Sequence, residues 1–177
     1  MNPNWIIRLF LALLAAQLAS CAPDPPPAEA FEHCLYDAPE PIFDERVSGI
    51  SDHNFVLRPG KGVETFTLLG STRVRIEQTG CDHIHQAFTF EWDSSVRRPS
   101  SGFWADAAVR RYEELGSLGA SFLSFQAISE VLEQRKPELT PGGAPISLQP
   151  GLLFQLIPES SNGPTVFTAL LYETTAE

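Results

Sequence analysis

Positive charge is scarce in this chain. Twelve Lys and Arg stand against 22 Asp and Glu, a formal net charge of −10. Nucleic-acid binding rests on cations that neutralise phosphates, so this balance argues against a nucleic-acid partner and against a face resting on anionic lipid. Long apolar runs are also missing. Trp5 to Ala19 is only fifteen residues, broken by Arg8 and Gln17, whereas a bilayer span takes about 20. There are three cysteines, and none are spaced Cys-x-x-Cys, which removes the common two-cysteine redox and metal motifs. No heptad pattern is sustained, so a coiled coil is excluded.

Catalytic signatures are equally thin. Gly-x-Ser-x-Gly is absent, as is the Asp-x-Asp-x-Asn-Gly spacing of a calcium loop. Pro59-Gly60-Lys61-Gly62 lacks both the spacing and the Ser/Thr of a phosphate loop and reads as a hairpin turn. Ser51, Asp52 and His53 are neighbours in sequence, but a triad is a spatial arrangement that adjacency does not supply. Glu113 and Glu114 are adjacent on a helix and do not face each other.

What is present begins with a short leader. Arg8 precedes an apolar run, Leu9 to Ala19, that ends in Leu18-Ala19-Ser20-Cys21. A short apolar core followed by small residues fits a cleavable signal better than a membrane anchor. These four residues resemble the lipobox of bacterial lipoprotein signal peptides, in which small residues precede a cysteine that is lipidated and becomes the new N-terminus. The resemblance covers residues 1–21 alone. It implies loss of residues 1–20 and a diacylglyceryl group plus an N-acyl chain on Cys21. At ~0.8 kcal/mol per buried methylene, two chains already give stable membrane attachment. Ala22 stands where an aspartate would resemble an inner-membrane retention signal, which points to the outer membrane, facing the periplasm. An ordinary secretory signal is the rival reading; the cysteine in that place favours the lipoprotein.

Ala22 to Ala30 is too rich in proline for helix or sheet and reads as a polyproline tether, residues 21–30 with the lipidated cysteine. At ~3.1 Å per residue it would hold a domain about 25–30 Å off the membrane. Residues 31–177 then form one domain, about 150 residues, large enough for a proper core. Without Arg8 the balance is eleven cations against 22 acids, a net of −11. Six of those cations, Arg97, Arg98, Arg110, Arg111, Arg135 and Lys136, lie close together in sequence. A basic patch is possible there, but the favoured reading is a solvated helical face.

Phe31 to Ile50 is acidic and broken by proline, and reads as a solvated irregular segment tied down by Cys34. Strands are expected over His53–Arg58, Val63–Leu69, Thr72–Thr79 and His83–Trp92. Val74 and Ile76, then Phe88, Phe90 and Trp92, alternate with polar residues and mark the buried face. Pairing Val74 with Phe88 keeps both apolar sets on one side and puts Glu77 opposite His85. A three-residue Gly70-Ser71-Thr72 loop does the same for the hairpin before it.

The period then changes. Trp104, Ala108, Tyr112 and Leu115 recur at helical spacing up to Gly116. A second helix from about Ser121 carries Phe122, Phe125, Ile128, Val131 and Leu132 on a stripe read as core, ending before Pro137. Leu152–Ile157 and Thr165–Tyr172 make a closing hairpin, apolar on both faces, as central strands would be. The expected fold is α+β: an antiparallel sheet of about six strands with a two-helix insertion packed on one face.

Cys34 and Cys81 pair most simply with each other in an oxidising envelope compartment. Their rival use is a Cys/His metal site. His83-Ile84-His85 on a strand would put two imidazoles on one face about 7 Å apart, a start for zinc or copper, with Glu77, Glu91 or His53 as a third ligand. No resident cofactor is otherwise implied. The features together point to a non-catalytic binding or assembly module of the envelope, attached to the membrane through Cys21 and meeting an envelope protein or cell-wall component. A metal-binding protein or hydrolase using His83 and His85, and a carrier of a small apolar ligand between sheet and helices, are the alternatives.

Overall fold

Period-two patterning builds the sheet. The computed structural model describes residues 31–35, 37–93, 100–159 and 163–174. The leader, Cys21, the tether, Arg97 and Arg98 lie outside the described residues. Strands β1 (Ile50–Arg58), β2 (Lys61–Leu68), β3 (Thr72–Thr79) and β4 (His85–Trp92) follow one another as antiparallel hairpins. Val74, Ile76, Phe88 and Phe90 have no exposed surface, while Arg73 and Arg75 face solvent, as alternation along a half-buried strand requires. After two helices come β5 (Ile146–Gln149), β6 (Leu152–Glu159) and β7 (Thr165–Glu173).

Across the sheet the order is β1-β2-β3-β4-β7-β6-β5, with β7 lying antiparallel to both β4 and β6. Among the described residues this is an α+β fold with an open, seven-stranded antiparallel sheet and two α-helices. That is one strand more than expected. The addition is β5, whose four residues Ile-Ser-Leu-Gln are too few for a period to register. It pairs only with β6, across the Pro150-Gly151 turn, and closes the sheet as a short edge strand. Both β6 and β7 have neighbours on either side, and along each strand buried residues (Phe154 and Leu156; Phe167, Ala169 and Leu171) alternate with half-buried ones.

The β3–β4 register differs from the expected one. Val74 pairs with Phe90 and Ile76 with Phe88, a slide of two residues, so Glu77 faces Ala87 and His85 faces Thr79. A two-residue slide leaves every side chain on its own face, so the apolar pattern cannot detect it. The turn decides. It spans five residues, Gly80 to Ile84, and the His83 carbonyl occupies the place a Cβ on Gly80 (φ 105°) would take. The β2–β3 loop has three residues, as the faces demand, but they are Leu69-Gly70-Ser71, one position earlier than expected.

Helix α1 (Ser101–Gly116) starts where the Ser100 hydroxyl accepts the Phe103 amide at 3.2 Å. Trp104, Ala108, Tyr112 and Leu115 are buried, as their spacing predicts. A Cβ on Gly116 would sit 2.6 Å from the backbone nitrogen of Gln126, so the missing side chain sets how closely α2 (Leu123–Gln134) approaches. The Ser129 hydroxyl donates to the Val109 carbonyl at 3.1 Å and joins the two helices again. Tyr112 meets Phe88, Phe90 and Phe154 at centroid distances of 5.7, 6.1 and 5.8 Å, and Phe125 meets Phe88 at 5.7 Å. Residues of both helices and of the sheet therefore share one core. Among the described residues, no helix is long and apolar enough to cross a membrane.

Cys34 and Cys81 form a disulfide, with an S–S distance of 2.12 Å and Cα atoms 4.5 Å apart. It ties the segment before β1 to the Gly80–Ile84 turn. That segment is less solvated than expected: Phe31 and Phe43 are both buried.

Candidate functional site

Strand alternation places Glu64 of β2 on the same face as Phe66 and Leu68, and the carboxylate has no exposed surface. A buried charge needs partners, and Glu64 has three. Its Oε2 accepts the Ile42 amide at 2.8 Å, and its Oε1 accepts the Phe43 amide at 2.9 Å. His53 of β1 brings Nε2 to 2.8 Å from Oε1. The Gln78 side chain donates to the Glu40 carbonyl at 2.7 Å. These bonds hold residues 40–43 as a strap across the sheet. The Phe43 ring then lies against Phe66, Phe122 and Phe125 at 4.9, 4.8 and 5.6 Å.

Between the strap, α2 and the sheet lies an apolar cleft of about 750 Å³. The strap contributes Pro41, Ile42 and Phe43, with Val47 just after it; the start of the second helical region contributes Phe122, Phe125 and Ile128; the sheet side contributes Ile84, Leu152 and Leu171. Polar groups are few and mostly neutral: Ser121, Ser124 and Gln86, with Asp44 at the strap. The Arg46 side chain and amide hydrogen-bond to Asp44 and hold its carboxyl down to about 2, so it stays ionised at any ordinary pH. Such a space, apolar with a few polar groups, is the usual form of a binding site. The helical stripe expected to be core is thus divided. Leu132 and Phe125 are buried, whereas Phe122 and Ile128 remain half-exposed along the cleft.

The metal reading finds no such geometry. β4 begins at His85, so His83 sits in the preceding turn, exposed, and the expected His-x-His strand pair does not form. The His85 Nδ1 is 2.9 Å from the Thr79 hydroxyl. Cys81 is in the disulfide, Glu77 pairs with Lys61 and Arg75, Glu91 pairs with Arg73, and His53 is held by Glu64. Among the described residues, no three His, Cys, Asp or Glu side chains are grouped to hold a metal ion. Nor do Ser51, Asp52 and His53 form a relay: Asp52 accepts from Thr67 at 3.1 Å while His53 turns to Glu64.

Of the clustered cations, the four that lie among the described residues form ion pairs. Arg110 and Arg111 both meet Glu114, Arg135 meets Glu138, and Lys136 meets Asp106 and Glu133. Arg111 is buried, with its guanidinium carbon 4.7 Å over the Trp92 ring. Glu64 and the strap are what sequence reasoning missed. The signal was the parity of Glu64 with Phe66 and Leu68. Compared with known proteins, the chain matches no protein-family model, no curated protein and no solved structure.

Proposed function

We propose that this protein is a lipid-anchored, non-catalytic binding and assembly module of the bacterial envelope, attached through Cys21 to the outer membrane and facing the periplasm. The observation that carries the reading is the apolar cleft between the strap, α2 and the sheet. The lipobox-like Leu18-Ala19-Ser20-Cys21 and the proline tether support the anchor and its reach. The Cys34–Cys81 bond accords with an oxidising compartment. The reading takes the two helices as packed on one face of the sheet, supported by the contacts of Tyr112 and Phe125 with Phe88. The partner is an envelope protein that enters the cleft.

Crosslinking tagged full-length protein in intact cells, beside a Cys21→Ser form that should be secreted without lipid, tests the reading. One recurring envelope protein, captured by the anchored form and lost from the other, is the expected result. Absence of a specific partner from both forms overturns it. A carrier of a small apolar ligand would use the same cleft, whose volume lies within the roughly 300–1,000 Å³ usual for ligand pockets. Organic extraction and mass spectrometry of the purified protein decide that second reading.

A further inference from the structure

The cleft continues past Ile84 and Leu152. Both side chains also border a hollow of about 400 Å³ that holds Asp82, His83 and Glu173. Glu173 Oε2 accepts the Ile84 amide at 3.0 Å, and Asp82 Oδ1 accepts the Leu35 amide at 3.4 Å, so backbone donors fix both carboxylates in place. Among the described residues no Lys or Arg lines either space. An apolar trough therefore runs onto a carboxylate shelf. Leu123, next in sequence to Phe122 and Ser124 of the trough wall, has a side chain that is 61% exposed.

Two physical arguments choose the occupant. Leu152, Leu171 and Gln86 come from β6, β7 and β4, neighbouring strands that are each paired on both sides. No free strand edge borders the trough there, so an extended peptide would gain no ladder hydrogen bonds. A helix satisfies its own backbone and needs only side-chain anchors. Charge decides the rest. A fatty acid carboxylate laid on the shelf would meet Asp82 and Glu173, and at the other end Asp44 is already paired with Arg46, whereas a cation over Asp82 and Glu173 meets complementary charge.

We infer that the trough receives an amphipathic helix of a partner protein, with its apolar i, i+3, i+4, i+7 residues in the cleft and Lys or Arg residues over Asp82 and Glu173. The inference rests on the binding-module reading and adds the chemistry of the partner.

The probes are a fluorescent Leu/Lys amphipathic helix of about 15 residues, its Leu/Glu counterpart and a fluorescent saturated fatty acid, each titrated into the purified, disulfide-bonded protein. The Leu/Lys helix should bind roughly tenfold or more tighter than the Leu/Glu helix at low salt, with the difference shrinking as salt rises. Ser124→Arg, an exposed change in the trough wall, should weaken the Leu/Lys helix by at least about tenfold without moving the thermal midpoint. Asp82→Asn with Glu173→Gln, which keeps the acceptors and removes the charge, should narrow the Lys-over-Glu preference. Equal binding of both helices, indifference to Ser124→Arg, preference for the fatty acid, or no binding at all overturns the inference. Crosslinking with Ser124→Arg in cells separates the two levels. A partner lost in that variant, although the Leu/Lys helix does not bind, keeps the binding-module reading and discards the cationic helix.

Discussion

Glu64 Oε1 lies 2.8 Å from His53 Nε2, and the carboxylate that makes this contact has no exposed surface. The imidazole comes from the edge strand β1, within its irregularity between Ser51 and Asn54. The same carboxylate accepts the Ile42 and Phe43 amides. One side chain thus joins the edge of the sheet to the strap that forms a wall of the cleft.

Removing that side chain should loosen both. Glu64→Ala leaves two amides and an imidazole without their acceptor, for a loss of about 3 kcal/mol. Urea unfolding should show a lower midpoint at nearly unchanged slope, with faster hydrogen exchange at the Ile42 and Phe43 amides. Glu64→Gln keeps one acceptor oxygen but turns an NH2 toward the remaining donors, so it should fall between wild type and Ala. An unchanged midpoint for Glu64→Ala would mean that the Phe43 ring and the Gln78–Glu40 bond suffice to hold the strap.

Tyr112 behaves in the opposite sense. Its hydroxyl is buried without a hydrogen-bond partner among the described residues, and burial pushes its pKa well above the ordinary 10.0. Tyr112→Phe removes an unsatisfied polar atom and keeps the ring against Phe88, Phe90 and Phe154, so stability should rise by about 1 kcal/mol. The pH dependence carries a matching sign. The phenol of the unfolded chain ionises near 10, whereas the folded one stays protonated. Its contribution is complete below pH 10 and is lost above it, by up to about 1.4 kcal/mol per pH unit. Unfolding curves from pH 9 to 11 should therefore fall more steeply for wild type than for Tyr112→Phe. Parallel curves would show that the folded phenol ionises as readily as the unfolded one, through access to water or a donor for the phenolate.

Much of this fold was legible because period two and period 3.6 each put large side chains on one face. Val74, Ile76, Phe88 and Phe90 of the sheet, and Trp104, Ala108 and Tyr112 of α1, were placed by spacing alone. What escaped had physical reasons. β5 is too short to show a period. The slide between β3 and β4 conserves faces and is set by a five-residue turn around Gly80. Phe43 lay in a segment whose acids and prolines read as solvated, although a buried carboxylate elsewhere in the chain fixes its backbone. Glu64 shares the parity of Phe66 and Leu68, but a glutamate at an inward position is rare enough to be read past. The cleft needed the strap, and the strap could not be placed without Glu64.

Two glycines separate close approach from helix propensity. Gly116→Ala would put a methyl 2.6 Å from the Gln126 nitrogen, which is backbone and cannot swing aside, so a loss of about 1–3 kcal/mol is expected. Gly102, in the first turn of α1, has among the described residues only the Ser100 hydroxyl within 4 Å of a Cβ, at 3.9 Å. Gly102→Ala should therefore gain about 0.5 kcal/mol from helix propensity. Thermal unfolding of the two variants should move in opposite directions. A neutral Gly116→Ala would show that α2 can retreat from α1 at no cost.

The disulfide closes a loop of sequence separation 47, which in the chain-entropy account removes about 4 kcal/mol of freedom from the unfolded state. Its position adds a local effect. Cys81 sits in the turn that ends in Ile84, and Ile84 borders both the cleft and the acidic hollow. A reductant, or the Cys34→Ser, Cys81→Ser double variant, should lower the thermal midpoint by about 10 °C in a domain of this size. The two treatments should agree. Amide exchange should rise first at Leu35, whose N–H rests on Asp82, and at Ile84, whose N–H rests on Glu173. A midpoint that stays put in both cases would mean that the buried rings of Phe31 and Phe43 hold the N-terminal segment without the covalent tie.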